Sequence, residues 1–194
     1  MMYFRKLAAF SFASLFFQIA GATLGWADDG FSFGKAATHI SDVQFRHSLS
    51  PDNKAITIIF DNLIVAVSKL SSPIASRSLS VSYPMSGGTS ADKLLVRIDG
   101  ALAKDAGTSA TLIVRVLGET HTIDLSDVSI PGDFTKDFLV SAQDASDLRL
   151  TLFLLVERSD TKDGGEAALT IDSFEAAIPL PPEKNSPEDA GVTK

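Results

Sequence analysis

The chain has 194 residues, no cysteine, a formal net charge of −7 and a pI near 4.9. An acidic surface without a basic cluster argues against nucleic acid and anionic membranes as partners. Without disulfides, packing alone must hold the fold together.

The chain opens with MMYFRK, followed by the apolar run LAAFSFASLFFQIAGATLGWA and then Asp28 and Asp29. A short basic start, an apolar stretch and small residues before an acidic pair are the pattern of an export signal, here residues 1–27, with Ala20-Gly21-Ala22 as a second cleavage site. A retained anchor is the competing reading, because about 20 apolar residues suffice to span a bilayer. Removing the leader takes Arg5 and Lys6 with it, which leaves 167 residues at a net charge of −9. That length suits one domain, residues 28–178, large enough to bury a core. The expected location is secreted or periplasmic.

Beyond the leader the hydrophobic period is two. A first strand is expected over 36–48, ended by the turn Ser50-Pro51-Asp52-Asn53. In AITIIFDNLIVAV the residues Ile56, Ile58 and Phe60 share one phase, and Leu63, Val65 and Val67 the other. One regular strand cannot bury both sets on one face. A hairpin folded at Asp61-Asn62 would do so, as would a bulge at Asp61 within one long strand. In either case Asp61 serves the backbone and is not a catalytic acid.

RSLSVSYP alternates Leu79, Val81 and Tyr83 with serines, the half-buried strand pattern. Strands follow over 92–99 and 110–117, whose flanking sequences GTSADKLLVRIDG and GTSATLIVRVLG echo one another. Two strands of one sheet sharing turn chemistry explain the echo, since a repeat architecture needs at least three copies. THTIDLS places His121, Ile123 and Leu125 on one face, and a further strand is expected over 136–142. LRLTLFLLVER aligns Leu148, Leu150, Leu152, Leu154 and Val156, while Phe153 and Leu155 make its second face apolar. That strand is expected to be central and covered on both sides. A last strand over 167–178 precedes a Pro-rich, charged segment, 179–194, read as a flexible tail. Short strands separated by turns, with no helical window, give an all-β fold: a single antiparallel β-sandwich, jelly-roll-like, with a closed barrel as the alternative.

Candidate chemistry is sparse. SDTKDGGE brings Asp160, Asp163 and Glu166 into a glycine-containing loop where carboxylates would suit calcium, although the spacing is not that of the twelve-residue calcium loop. His47 lies in phase with Val43, Phe45 and Leu49, and His121 with Ile123 and Leu125. Both read as hydrogen-bonded histidines at a core edge, with convergence on a metal as the sharper reading. His39 completes the set. No nucleophile elbow, phosphate loop or zinc-protease helix occurs, so no catalytic residue is assigned. The mature chain keeps no tryptophan and only Tyr83, so the usual stacking platform for sugars is absent from the composition.

LSPDNKAITIIFDNL at 49–63, with SRSLSVSYP, LLVRIDGALAKDAGTSATLIVRVLG and ALTIDSF, resembles domain-of-unknown-function family 4360, small secreted proteins of fungi and bacteria. The resemblance spans roughly residues 38–175 and implies a secreted β-rich protein without an assigned activity. The chain departs from that pattern in lacking cysteines and in carrying Asn53 where glycine is usual. The functional expectation is a non-enzymatic exported β-sandwich with a surface, matrix or interaction role toward an unknown protein partner. The alternatives are a module binding a small ligand or calcium, and a hydrolase with dispersed carboxylates.

Overall fold

The computed structural model describes residues 31–34, 38–40, 42–86, 93–125, 132–159 and 165–179. The leader and residues 180–194 of the tail lie outside them. Strands β1 (Ser32–Phe33), β2 (Thr38–Ile40), β6 (Ile74–Ser86), β8 (Thr108–Val116), β9 (Glu119–Asp124) and β11 (Asp147–Arg158) form one antiparallel sheet, ordered β1-β6-β11-β8-β9 with β2 also on β6. Strands β3 (Phe45–Leu49), β4 (Ala55–Phe60), β5 (Ile64–Val67), β7 (Lys93–Lys104), β10 (Gly132–Ser141) and β12 (Ala167–Ala177) form the other, ordered β10-β7-β12-β4-β3 with β5 also on β12. We call these sheet I and sheet II. No strand pairing joins them among the described residues, so the body is a β-sandwich and not a closed barrel.

Alternation decides which side chains meet between the sheets. On β11, Leu148, Leu150, Leu152, Leu154 and Val156 are all buried, facing Leu94, Val96, Ile98 and Leu102 of β7 and Leu169, Ile171 and Phe174 of β12 across the core. Each such side chain contributes roughly 1.5–3 kcal/mol when removed from water. No charged residue is buried among those described, which fits a core built by apolar packing alone. The β3–β4 turn is tied by the Asp52 carboxylate, which accepts from the Ser50 hydroxyl and from the Lys54 amide. Asn53 there adopts φ 56°, a left-handed conformation open to asparagine and glycine alike.

The expected hairpin at Asp61-Asn62 does not form. β4 and β5 run end to end along the same neighbour, β12, with Ile59 opposite Ser173 and Ile64 opposite Thr170. The chain jogs at Asp61-Asn62 and changes phase, so that Ile56, Ile58 and Phe60 and then Leu63, Val65 and Val67 all face inward. β12 carries a bulge between Ile171 and Ser173 at the same level. Matched irregularities keep the apolar sides of both strands on the core.

Three further expectations are corrected. The region 36–48 is two strands, because β2 pairs with β6 in sheet I whereas β3 pairs with β4 in sheet II. The echoing segments form β7 and β8, which lie in different sheets, so a shared sheet does not explain them. β11 is central in sheet I but covered on one side only: Phe153 and Leu155 are half-buried on the outer face and stand outside the core cluster.

Candidate functional site

The two described histidine side chains sit at opposite margins of the sandwich. His47, on the edge strand β3, sets its ring against Tyr83 of sheet I at 5.3 Å between centroids, edge to face. His121, on the edge strand β9, stacks on Phe138 of β10 at 4.1 Å. Beside it the Glu119 carboxylate lies 3.8 Å from His121 Nε2 and accepts a hydrogen bond from the Ser141 amide at 2.7 Å. The two rings each pack on an aromatic of the opposite sheet and do not converge on a metal. His39 is the register partner of Val81.

Asp61 is a backbone residue with a salt bridge. Its amide donates to the Gln44 carbonyl, and its carboxylate meets Arg46 at 3.1 Å. Of the proposed calcium ligands, Asp160 and Asp163 lie outside the described residues. Glu166 is bound through its backbone to Asp105, whose carboxylate accepts from the Glu166 amide at 3.0 Å. Among the described residues no group of three metal-ligating side chains occurs.

The outer faces of the two sheets differ in chemistry. On sheet II, Arg97 and Asp137 form a two-pronged pair across β7 and β10 at 2.9 and 2.8 Å, which holds the Asp137 carboxyl below the usual carboxylate range. Asp99 accepts from Thr135 and Ser173 at 2.6 and 3.0 Å. Asp172, at the β12 bulge, reaches the surface, yet its pKa is raised by desolvation and then by Asp133 and Asp99. Arg97 and Asp137 satisfy one another, whereas Asp133 and Asp99 oppose ionisation of Asp172.

Sheet I instead carries a groove of about 520 Å³ at one end of its outer face, within the usual size range of ligand sites. Two turns and the start of β11 build it. The first turn is Leu117-Gly118 between β8 and β9, with φ of 53° and 90°, the two left-handed residues a tight hairpin demands. The Leu117 amide donates to the Arg149 carbonyl at 3.0 Å, and its side chain packs on the core. The second turn runs from Ala142 to Ser146 with Asp144 at φ 58°; the Met85 amide holds it by donating to the Ser146 carbonyl at 2.8 Å. Leucine is strained in that region of φ, at a cost of about 1–2 kcal/mol, and such strain clusters at functional sites.

Arg115, Arg149, Asp144, Asp147, Ser146 and Thr151 supply the polar lining. Arg115 has no ion-pair partner among the described residues. Arg149 is 77% exposed and reaches Asp147 only at 3.6 Å. The Asp147 carboxylate also accepts from the Ser146 hydroxyl, and Thr151 shares a hydrogen bond with Ser80 at 3.0 Å. The groove therefore presents charged donors, charged acceptors and hydroxyls of near-zero net charge on a pre-formed frame. That set suits a neutral ligand with many hydroxyls, each of which both donates and accepts.

Sequence reasoning did not single out these residues. Alternation places Arg115 and Arg149 outward on their strands, but their meeting depends on the β8–β11 register, in which Arg115 faces Thr151.

No family model and no curated protein matches the chain. Solved structures do. A galactotriose complex of the module TmCBM61 matches at 13% identity and a TM-score of 0.30, covering 74% of this chain and 88% of its own. The xylan-binding module CBM15 matches at 9% identity and 0.31, covering 64% and 95%. The enzymatically active domain of tailspike protein 4 from bacteriophage CBA120 matches at 6% identity and 0.32, with 71% of this chain covering 19% of that one. At these values the likeness carries no argument about ligand or activity.

Proposed function

We propose that the protein is an exported, non-enzymatic β-sandwich that binds a small neutral ligand rich in hydroxyl groups in the groove at the end of sheet I. The observation that carries this reading is the lining: two guanidiniums, two carboxylates and two hydroxyl side chains around one groove, with Arg115 in no ion pair among the described residues. Export rests on the leader at residues 1–27, and the acidic mature charge fits an uncharged partner better than an anionic one. The reading takes up the alternative of a small-ligand module in preference to a surface, matrix or interaction role toward a protein partner.

Isothermal titration of the leader-free protein with soluble neutral oligosaccharides tests it. Binding that Arg149→Ala weakens about tenfold or more is expected, since a charge-assisted hydrogen bond is worth about 1.5–3 kcal/mol. Binding that survives replacement of both Arg115 and Arg149 by alanine would place the ligand elsewhere. No binding at millimolar ligand would remove the reading.

A further inference from the structure

The groove does not end at Thr151. Along sheet I the next outward rows are set by strand register. Ser78, Phe153, Ile113 and Thr122 form one row, and Ser76, Leu155, Thr111 and the exposed Asp124 at the sheet edge the row after it. Successive outward residues on a strand are about 7 Å apart, so Thr151, Phe153 and Leu155 span about 14 Å. Phe153, Ile113 and Leu155 are half-buried and stand outside the core cluster, with the exposed hydroxyls of Ser76, Ser78 and Thr122 at their sides. Phe153 and its row neighbours carry no charge, in contrast to the charged centre of sheet II. An apolar ring flanked by hydroxyls matches the chemistry of a pyranose, whose ring face is apolar and whose rim is polar. A planar aromatic surface is what the composition withheld in tryptophan and what the buried Tyr83 cannot offer.

Resting on the reading of the groove given above, we infer that its ligand is a linear neutral oligosaccharide, seated with one end between Arg115 and Arg149 and a following ring on Phe153. A single sugar ring is too short to reach from the groove to Phe153 and Leu155. Affinity therefore grows with chain length, and Phe153 contributes only to the longer ligands.

The test is isothermal titration with β-1,4-linked xylose and glucose oligomers of increasing length, monosaccharide to hexasaccharide, on the parent protein, Phe153→Ala, Phe153→Trp and Arg149→Ala. The expected result is a rise of about tenfold in affinity from mono- to trisaccharide. Phe153→Ala abolishes that rise and leaves monosaccharide binding unchanged, while Phe153→Trp preserves or strengthens it. Arg149→Ala weakens every length. Because Phe153 lies outside the core, both of its variants are expected to melt within a few degrees of the parent, and the tryptophan variant reads the platform independently of the alanine one. Hexasaccharide bound equally well by parent and Phe153→Ala overturns the inference and leaves the groove intact. Failure of the parent to bind any of these oligomers overturns both.

Discussion

Tyr83 offers a quantitative test of how the core is built. Its side chain is 0% exposed, and its hydroxyl has no hydrogen-bond partner among the described residues. Burying an unbonded hydroxyl costs roughly 1–3 kcal/mol, because the water lost on folding is not replaced. Tyr83→Phe removes that cost while keeping the ring against His47, offset by the small void left by one oxygen atom. A gain of about 1 kcal/mol is expected, or a rise in Tm of about 2–4 °C for a domain of this size. The same burial pushes ionisation of the phenol from 10.0 up to about 12. The fold favours the neutral phenol, so this contribution is complete below pH 10 and is lost as the pH rises from about 10 to about 12. A shift of that size is linked to about 2–3 kcal/mol of stability across the window. Urea unfolding at pH 7 and again between pH 9 and 12, parent against Tyr83→Phe, measures both effects. The phenylalanine variant should be the more stable at pH 7 and should lack the tyrosine's share of the alkaline loss. A variant destabilised by 1 kcal/mol or more at pH 7 would refute the reasoning, since the hydroxyl would then have a partner worth keeping.

Gly100→Ala should destabilise by about 2–3 kcal/mol in the same assay, because the added Cβ would lie 2.3 Å from the Thr170 carbonyl oxygen and 2.8 Å from the Phe134 ring. An unchanged midpoint would show that β7 and β12 separate more easily than their register implies. Asp172→Asn should stabilise at pH 7 and make no difference near pH 3. Its raised pKa means that the protonated form is favoured in the fold, so this group's contribution is present below the ordinary aspartate value of 3.8 and lost as the pH rises through the folded pKa. Solvent screening of a side chain that reaches the surface keeps the gain below about 1 kcal/mol, and a gain that persists at pH 3 would assign it to something other than charge.

The inward face of nearly every strand is legible from the sequence, because period two fixes which residues can share a side. Leu79, Val81 and Tyr83, and the five apolar residues from Leu148 to Val156, needed nothing more. What alternation cannot supply is the partner. Whether Asp61-Asn62 makes a hairpin or a jog depends on β12, more than a hundred residues later, and the two options bury the same side chains. The same gap hid the split of 36–48 between two sheets and the placement of β7 and β8 in different ones. For β11, an apolar second face suggested cover on both sides, whereas Phe153 and Leu155 lie on an outer face. The groove was out of reach for a further reason: its frame comes from two turns, at Leu117-Gly118 and at Ala142–Ser146, that meet only through the β8–β11 register and the hydrogen bond from Met85 to Ser146.

The most direct test of the binding reading is a titration of isotope-labelled protein with a soluble β-1,4-linked hexasaccharide, followed through the backbone amides by nuclear magnetic resonance. Shifts should concentrate at residues 113–118 and 144–153 and leave the outer face of sheet II still. Shifts centred on Asp99, Asp133 and Asp172 instead, or none at millimolar ligand, would contradict it.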